Sequence, residues 1–478
     1  MMPLRLADVL AGTGGTVRGA APADAVFARI ERDARRAGPG DLFIAVRGER
    51  FDGHQFVGDA AGKGAIAALV STAWADAQPQ PPLPLIAVDE PVAALQRLAG
   101  WRRAQLRATV VGITGSLGKT STKEVVAAVL SRRFRTYKSP GNLNNEIGLP
   151  LCLLDVTPET EIAVLEMGGA YAFGELTLLS GIARQRIAVV TNVHPIHLER
   201  MGTIEAIAET KAELVEALPP DGVAILNGDD PRVRSMAARA PGRVLFFGHG
   251  ADNDVRASDV VVEGAAGSRF TLDLAGEQHD LRIAVAGGHA VDLALPAIAV
   301  AHALGMTVEE MRAGLADPAA QIRLMVRPGP RGSRLIDDAY NASTPSVLSA
   351  LDFLAAMPGQ RKIAVLGDMR ELGPLSEREH RIVGRRAAEV VDLLVTFGGE
   401  ARVIAAEAAA RIDGPPPSVT SFGLTERRSL IDFLREGITE GDVVLLKGSR
   451  GLQMEEIVAA LGEALVRDDG MTPDGAGA

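Results

Sequence analysis

Lys119 stands in the run Thr114-Gly-Ser-Leu-Gly-Lys-Thr-Ser121. Before it lies a short apolar stretch, Thr109–Thr114. After it comes a helical pattern with Val125, Val126, Val129 and Leu130 on one face. Strand, glycine-containing turn, Gly-Lys-Thr and helix together describe a loop that cradles phosphates. Backbone N–H groups of residues 114–121 and the helix start would face the anion. Lys119 would reach the β- and γ-oxygens, and the Thr120 hydroxyl would sit where Mg²⁺ is coordinated. The spacing departs from the general pattern, which has four residues between its first glycine and Gly118: Gly112 leaves five and Gly115 only two. A glycine-rich turn with a solvated lysine is the plainer alternative, and the flanking strand and helix argue against it. ATP or GTP binding follows, but the reaction does not, because kinases, motors, switches and ligases share such loops.

A second group of residues carries charge where burial is expected. Thr203 can cap a helix whose inward stripe reads Ile204, Ile207, Lys211, Leu214 and Leu218, which places a lysine mid-way along an apolar face. A buried ammonium is costly unless paired, and burial lowers its pKa. Snorkelling to solvent, or pairing with an acid such as Glu166, would relieve the cost. Glu166 directly follows the apolar run Ile162–Leu165, and His197 follows Ile187–Thr191. Taken singly, a strand-end glutamate can be a cap or ion-pair partner, and a lone histidine is more often structural than a ligand. His380 and Lys447 are open between a site role and an ordinary surface or loop role. Cys152, the single cysteine, lies in the apolar stretch Leu149–Leu154, as a buried structural thiol would; it excludes an intrachain disulfide.

The elements that must position these groups are legible as short apolar runs followed by polar clusters and helical patterns. Thr109–Thr114, Ile162–Leu165, Ile187–Thr191, Val223–Leu226 and Val244–Phe247 form one series of expected strands. Leu335–Ile336, Ile363–Leu366, Leu393–Phe397 and Val443–Leu446 form another. Strands alternating with helices imply parallel sheets covered on both faces. Ligands of such sheets bind beyond the carboxyl ends of the strands. The residues just past these runs are Gly115, Glu166, Asn192, Asn227, Asp338, Asp368 and Lys447. A helix is expected from Pro91 to about Arg107, and Asp468–Ala478 reads as a disordered tail.

Composition bounds the rest. The 478 residues suggest about three domains, and 47% hydrophobic with 23% charged residues is ordinary for a globular chain. A net charge of −10 argues against nucleic acid as the main partner. Neither a signal peptide at Met1–Leu10 nor an apolar run long enough for a membrane span is legible, so a soluble, cytoplasmic, monomeric protein is expected.

Further segments extend the phosphate loop into a family pattern. Asn142-Leu-Asn-Asn-Glu-Ile-Gly148, Glu166-Met-Gly168, Thr191-Asn-Val193 and His197-Leu-Glu199 follow it in order. Asp337-Asp-Ala-Tyr-Asn-Ala342 with Pro345, Leu366-Gly-Asp-Met369, and Lys447-Gly-Ser-Arg450 come later. Gly40-Asp-Leu-Phe-Ile-Ala45 and Gly48-Glu-Arg-Phe-Asp-Gly53 precede it. Together they resemble the Mur ligase family over nearly the whole chain, and within it the members that add D-alanyl-D-alanine. The resemblance implies an α/β protein of three domains: a small UDP-substrate domain over 1–107, a central parallel-sheet ATP domain over 108–318 and a Rossmann-like domain over 319–467. It implies ATP-driven amide formation through an acyl phosphate, with a UDP-linked muramoyl tripeptide and D-alanyl-D-alanine as substrates. Two Mg²⁺ ions are implied, one near Thr120 and Glu166 and one near Glu166 and His197, with Lys211 carbamylated by CO₂ into a metal-binding carboxylate. Arg323, Asp338, Tyr340 and Asn341, with His289, are implied to close over ATP, and Asp33, Arg35, Asn144 and Asn145 to meet the UDP-substrate.

The chain departs from the family pattern at three places. Gly288-His-Ala-Val-Asp-Leu293 keeps His289 but replaces two asparagines that contact adenine, Asp33-Ala-Arg35 lacks a hydroxyl, and Ile322 stands before Arg323 where glycine is usual. A sister ligase adding one amino acid is the near alternative; a small-molecule kinase or a nucleotide-gated binding protein is the distant one.

Overall fold

The structure, a computed structural model, describes residues 3–20, 22–48, 51–169, 172–196, 198–320, 324–411 and 413–468. Its contacts divide it into two compact units, Met1–Val193 with Ile207–Phe246, and His194–Ala206 with Phe247–Ala478. Among the described residues no helix is long and apolar enough to cross a membrane. The expected tail lies, beyond Asp468, outside the described residues.

The first unit holds two sheets. One runs in the order Thr16–Arg18, Leu85–Val88, Ala67–Ser71, Leu42–Ile44, Ile30–Glu31, parallel except for its first strand. The other places Thr136–Lys138, Ile162–Glu166, Thr109–Thr114, Ile187–Val190 and Val223–Asn227 side by side, all parallel. Nearly every residue of Thr109–Thr114, Ile162–Glu166 and Ile187–Val190 is buried. A sheet covered on both faces has that need, and the Val/Ile/Leu/Ala runs meet it. Register decides where chemistry can happen: Glu166 lies opposite Ile113, and Val190 opposite Thr114, so three strands end together.

In the second unit Arg334–Asp337, Val443–Lys447, Lys362–Gly367, Leu393–Phe397 and Ser418–Phe422 form a parallel sheet, with Met325–Pro328 antiparallel at its edge. Apolar clusters cover both faces, one around Leu351, Leu354 and Ile404, the other around Leu430, Leu434 and Leu461. The expected doubly covered α/β architecture is thus present, and all nine expected strands occur.

Strands outside the two expected series also occur, among them the whole of the first sheet, Thr136–Lys138, Met325–Pro328 and Ser418–Phe422. Val255–Val262, Ser268–Leu274 and Glu277–Ile283 form an antiparallel ribbon. Ser268–Leu274 alternates buried and open positions, so no uninterrupted apolar run marks it. The helix expected over Pro91 to about Arg107 ends at Arg103. Arg103 gives the reason. It is 9% exposed and its guanidinium turns back to donate to the carbonyls of Leu106 (2.9 Å), Ala108 (3.1 Å) and Ala183 (2.8 Å). The fork satisfies the Leu106 and Ala108 carbonyls in the turn below the helix and the Ala183 carbonyl at the end of the helix Glu175–Ala183.

Replacing Arg103 by Met keeps the apolar stem and strands these acceptors. Urea denaturation is expected to show a loss of about 2–4 kcal/mol, more than a surface arginine would give.

Candidate phosphate and cation site

At the carboxyl end of Thr109–Thr114 the chain enters the loop through two glycines. Gly115 has φ +145° and Gly118 has φ +79°, the latter as the cap of the helix Lys119–Leu130. A β-carbon on Gly115 would stand 1.9 Å from the Thr191 hydroxyl. That contact belongs to a brace supplied by the next strand. Asn192 accepts the Ser116 N–H at its carbonyl (2.9 Å) and the Leu117 N–H at its side chain (2.8 Å), while the Thr191 hydroxyl donates to the Leu117 carbonyl (2.8 Å). Asn227 donates to the Thr191 carbonyl (2.8 Å) and Asp230 accepts from Val193 N–H (2.8 Å), so the brace is itself held. Lys119 is half-buried and curls over the loop, donating to the carbonyls of Gly115 (2.8 Å) and Ser116 (3.2 Å). Burial lowers its pKa, and Glu166 and Glu175 act in the opposite sense. Thr120 and Ser121 occupy the first turn of the helix, both half-buried.

Glu166 closes the neighbouring strand and is 1% exposed. Its Oε1 accepts from the Asn144 side chain (2.7 Å), whereas Oε2 is buried and takes no hydrogen bond from any described residue. A half-satisfied buried carboxylate is costly, and a cation is the partner that would complete it. Asn145 does different work: its side-chain oxygen accepts the Gly148 N–H (2.9 Å) and shapes the turn into the helix Gly148–Asp155. Cys152 in that helix is fully buried, and burial pushes its thiol up to about 12, as a structural cysteine requires.

Lys211 lies on the helix Ile204–Glu216, and Thr203 accepts the Ala206 N–H (3.1 Å) at its start, as expected. Only 2% of Lys211 is exposed. It neither snorkels nor pairs with Glu166. Its amine donates to the carbonyls of Gly169 (2.5 Å) and Gly168 (3.4 Å). Burial first, then the charge of Lys119, pushes its pKa down to about 7, against Glu175 and Glu213. Thr114 sends its hydroxyl to the same Gly168 carbonyl (2.9 Å). His197 lies outside the described residues, as does Arg323. Among the described residues no three His, Cys, Asp or Glu side chains form a cation cluster. The expected donors are instead a mixed set of Thr120, Glu166, Lys211 and His197.

Two acidic or basic groups here carried no sequence expectation. Glu175 opens the helix Glu175–Ala183, and its carboxylate lies within 3.0 Å of where a Gly168 side chain would begin. Lys123 is fully buried and donates to the carbonyls of Ser139 (2.6 Å) and Gly141 (2.8 Å), anchoring the segment that leads to Asn144. Its position one turn after Lys119 was the available signal.

The other expected contacts sit elsewhere. Asp33 and Arg35 pair with each other (2.7 Å), and that bond holds the Asp33 carboxyl down at about 2. In the second unit Asp338 and Lys447 form a buried pair at 2.5 Å, and Lys447 also donates to the Asn341 carbonyl (2.9 Å). Arg450 donates to the Tyr340 hydroxyl (3.1 Å) and lies 5.1 Å from the ring centre. His289 lies against the Ser349 hydroxyl (3.0 Å). His380 is structural: its Nε2 accepts the Met369 N–H (3.0 Å), which leaves Nδ1 to donate to the Ser376 carbonyl (2.7 Å). Asp368 likewise accepts the Ala401 N–H (2.8 Å) at the foot of a helix.

Comparison with known proteins sets this geometry in context. Residues 27–103 match a model described as Mur ligase family, catalytic domain, residues 113–301 the Mur ligase middle domain, and residues 322–450 the Mur ligase, glutamate ligase domain. The UDP-N-acetylmuramoyl-tripeptide–D-alanyl-D-alanine ligase of Bacillus subtilis (strain 168) is 37% identical over 440 residues, 91% of this chain and 93% of its own. A crystal structure of MurF from Acinetobacter baumannii superimposes with a TM-score of 0.84 at 30% identity, covering 97% of this chain and 99% of that one. MurF ligase from Thermotoga maritima in complex with ADP gives 0.75 at 30% identity, over 92% and 98%.

Gly115→Ala forces a left-handed backbone and a collision with Thr191 at once. Calorimetry with ADP is expected to show binding weakened about 100-fold or more, since even 3 kcal/mol of strain has that effect.

Proposed function

The chain belongs to the Mur ligase family, and we infer that it joins D-alanyl-D-alanine to UDP-N-acetylmuramoyl tripeptide, consuming ATP and releasing ADP and phosphate. The observation that carries this reading is Glu166, buried at a strand end with one oxygen bound by Asn144 and the other without a partner, beside the loop of Lys119. A kinase or switch needs only the loop; a buried carboxylate with an open oxygen beside it suits a cation that would let an anionic carboxylate approach an anionic phosphate.

The substrate carboxylate attacks the γ-phosphorus, giving an acyl phosphate, and the amine of D-alanyl-D-alanine then displaces phosphate. Both reactants of the first step are negative, so the protein's task is alignment and neutralisation. Thr114, Gly115, Ser116, Leu117 and Gly118 shape the loop, with the Ser116 and Leu117 N–H groups held by Asn192. The N–H groups at the helix start without intrahelical partners, from Gly118 through Lys119 and Thr120 to Ser121, would therefore face the phosphates. Lys119 turns from the loop carbonyls to the phosphate oxygens, exchanging neutral acceptors for charged ones. Mg²⁺, when bound, offsets the repulsion between carboxylate and phosphate, and Thr120, Glu166, His197 and Lys211 would hold it. A lysine whose pKa lies near 7 is neutral in a large fraction of molecules at neutral pH, and the neutral amine is the form that takes up CO₂. Carbamylation of Lys211 would also remove a buried positive charge next to Lys119.

Arg323 suits the γ-phosphate because its fork is planar and permanently charged. Asp338, Tyr340 and Asn341 would close over ATP and His289 would meet the base, with Asp33, Arg35 and Asn144 for the UDP-substrate. The domains proposed for these tasks are 1–107, 108–318 and 319–467, acting as a cytoplasmic monomer.

The test supplies the purified chain with UDP-N-acetylmuramoyl tripeptide, ATP, Mg²⁺ and D-alanyl-D-alanine, and follows products by mass spectrometry. Amide and free phosphate are expected. A single amino acid accepted in place of the dipeptide would indicate a sister ligase, and a stable phosphorylated product a kinase. Lys119→Ala is expected to lower kcat by about 10²–10³-fold, the scale for removing one donor to a transferring group. Lys211→Ala should lose most activity and regain part of it with small carboxylates such as formate. Full activity without additive would remove the carbamate.

A further inference from the structure

The helix Ile204–Glu216 grips Gly168 and Gly169 on one side and Gly174 on the other. The Lys211 amine donates to the Gly169 and Gly168 carbonyls. Glu213, two positions on, uses both oxygens. Oε1 accepts the Gly174 N–H at 2.7 Å, and Oε2 accepts the Thr177 N–H at 2.9 Å and the Thr177 hydroxyl at 3.1 Å. The helix Glu175–Ala183 needs this help. Its cap position is Gly174, with φ +85° and no side chain, and no side-chain cap comes from its own sequence. Glu213 therefore caps a helix to which it does not belong, and its negative charge meets the positive end of that helix's dipole.

What the cap fixes is chemically relevant. Glu175 is the first residue of the capped helix, and its carboxylate acts on both Lys119 and Lys211. The Gly168 carbonyl, which Lys211 also holds, receives the Thr114 hydroxyl at the entry to the phosphate loop. Displacing the helix start would thus move Glu175 and loosen the carbonyls that hold Lys211.

We propose that Glu213 is a positioning residue for phosphoryl transfer: by capping the helix Glu175–Ala183 it sets Glu175, and with it the Gly168 and Gly169 carbonyls that hold Lys211, against the phosphate site. Glu213 itself touches no reacting group. The proposal rests on the ligase reading above.

Glu213→Ala and Glu213→Gln in the full chain test it. Glutamine is nearly isosteric but has one acceptor oxygen for donors that now use two. For both variants kcat is expected to fall about tenfold or more while KM for ATP stays within about threefold, as misplacement without loss of binding requires. Hydrogen exchange should quicken at Gly168, Gly169 and the helix Glu175–Ala183 and stay at the parental rate in the strand Lys362–Gly367 of the second unit. Should Glu213→Ala fail to fold, Glu213→Gln decides by the same readouts. Parental kcat in the soluble variants, or a loss of ATP affinity equal to the loss of kcat with exchange raised throughout, would overturn the positioning role. The parent is assayed beside them: an active parent confines that failure to Glu213, whereas a parent that forms no amide overturns the ligase reading and the proposal together.

Discussion

A carboxylate buried with one oxygen unanswered is expensive, and Glu166 is such a group. Its cost, several kcal/mol if nothing completes it, has to be met by the packing around it and by what binds there. Glu166 lies opposite Ile113 on one side, and Thr136–Lys138 pairs on the other as far as Val164, so the strand that carries Glu166 is held in place. Asn144 pins one oxygen, and the Glu166 N–H is itself taken by the Ser139 hydroxyl at 3.1 Å. The remaining oxygen is held ready for a cation by structure formed before that cation arrives. Preorganisation of this kind puts the cost into folding and leaves little reorganisation for the reaction.

The same logic runs outward through the loops. Each loop at the sheet's carboxyl edge is held by a side chain from a different strand or helix: Asn192 holds the phosphate loop, Asn227 and Asp230 hold the segment carrying Asn192, and Lys123 holds the approach to Asn144. Parallel strands make this possible, because their loops alternate between the two edges and the ones that matter emerge together. Loops with free glycines could not keep a phosphate cradle in shape alone; the cross-bracing replaces the stiffness that Gly115 and Gly118 remove.

How much of this could be read beforehand depended on whether a local pattern existed. The nine expected strands were legible because burial on both faces writes an uninterrupted apolar run, and Lys211 because a charge breaks a helical stripe. Leu42–Ile44, Ala67–Ser71 and Leu85–Val88 are as deeply buried and were not read. The ribbon Val255–Ile283 escaped because half its residues face water. Glu175 and Glu213 escaped for a related reason: in helices of mixed polarity a glutamate reads as a solvated surface group, and only the fold reveals that one faces Gly168 and the other caps a neighbour. Arg103 is similar, an arginine in the last turn of a helix, where such residues are common without being buried. His380 was open between two roles because one residue's neighbours in space are invisible in sequence; its ring turns out to be used up by Met369 and Ser376.

Four lysines separate structure from chemistry on a common principle. Lys119, Lys123, Lys211 and Lys447 all donate to main-chain carbonyls of loops. An ammonium has three donors and suits such clusters of acceptors. Their charges differ in fate. Lys123 lies 3.3 Å from the Glu124 carboxylate and Lys447 2.5 Å from Asp338, so each is neutralised in place. Lys119 and Lys211 have no carboxylate within ion-pair distance among the described residues, and their hydrogen bonds go only to neutral oxygens. A positive charge left uncompensated in a partly dry site has two ways out: it meets an anion, or it is lost. For Lys119 the loop geometry favours the first, with a phosphate as the anion. For Lys211 the second is already under way in the folded chain, since burial and Lys119 together bring it to about 7. One lysine is kept charged and mobile for the nucleotide, and its neighbour is driven toward the neutral amine by that same charge.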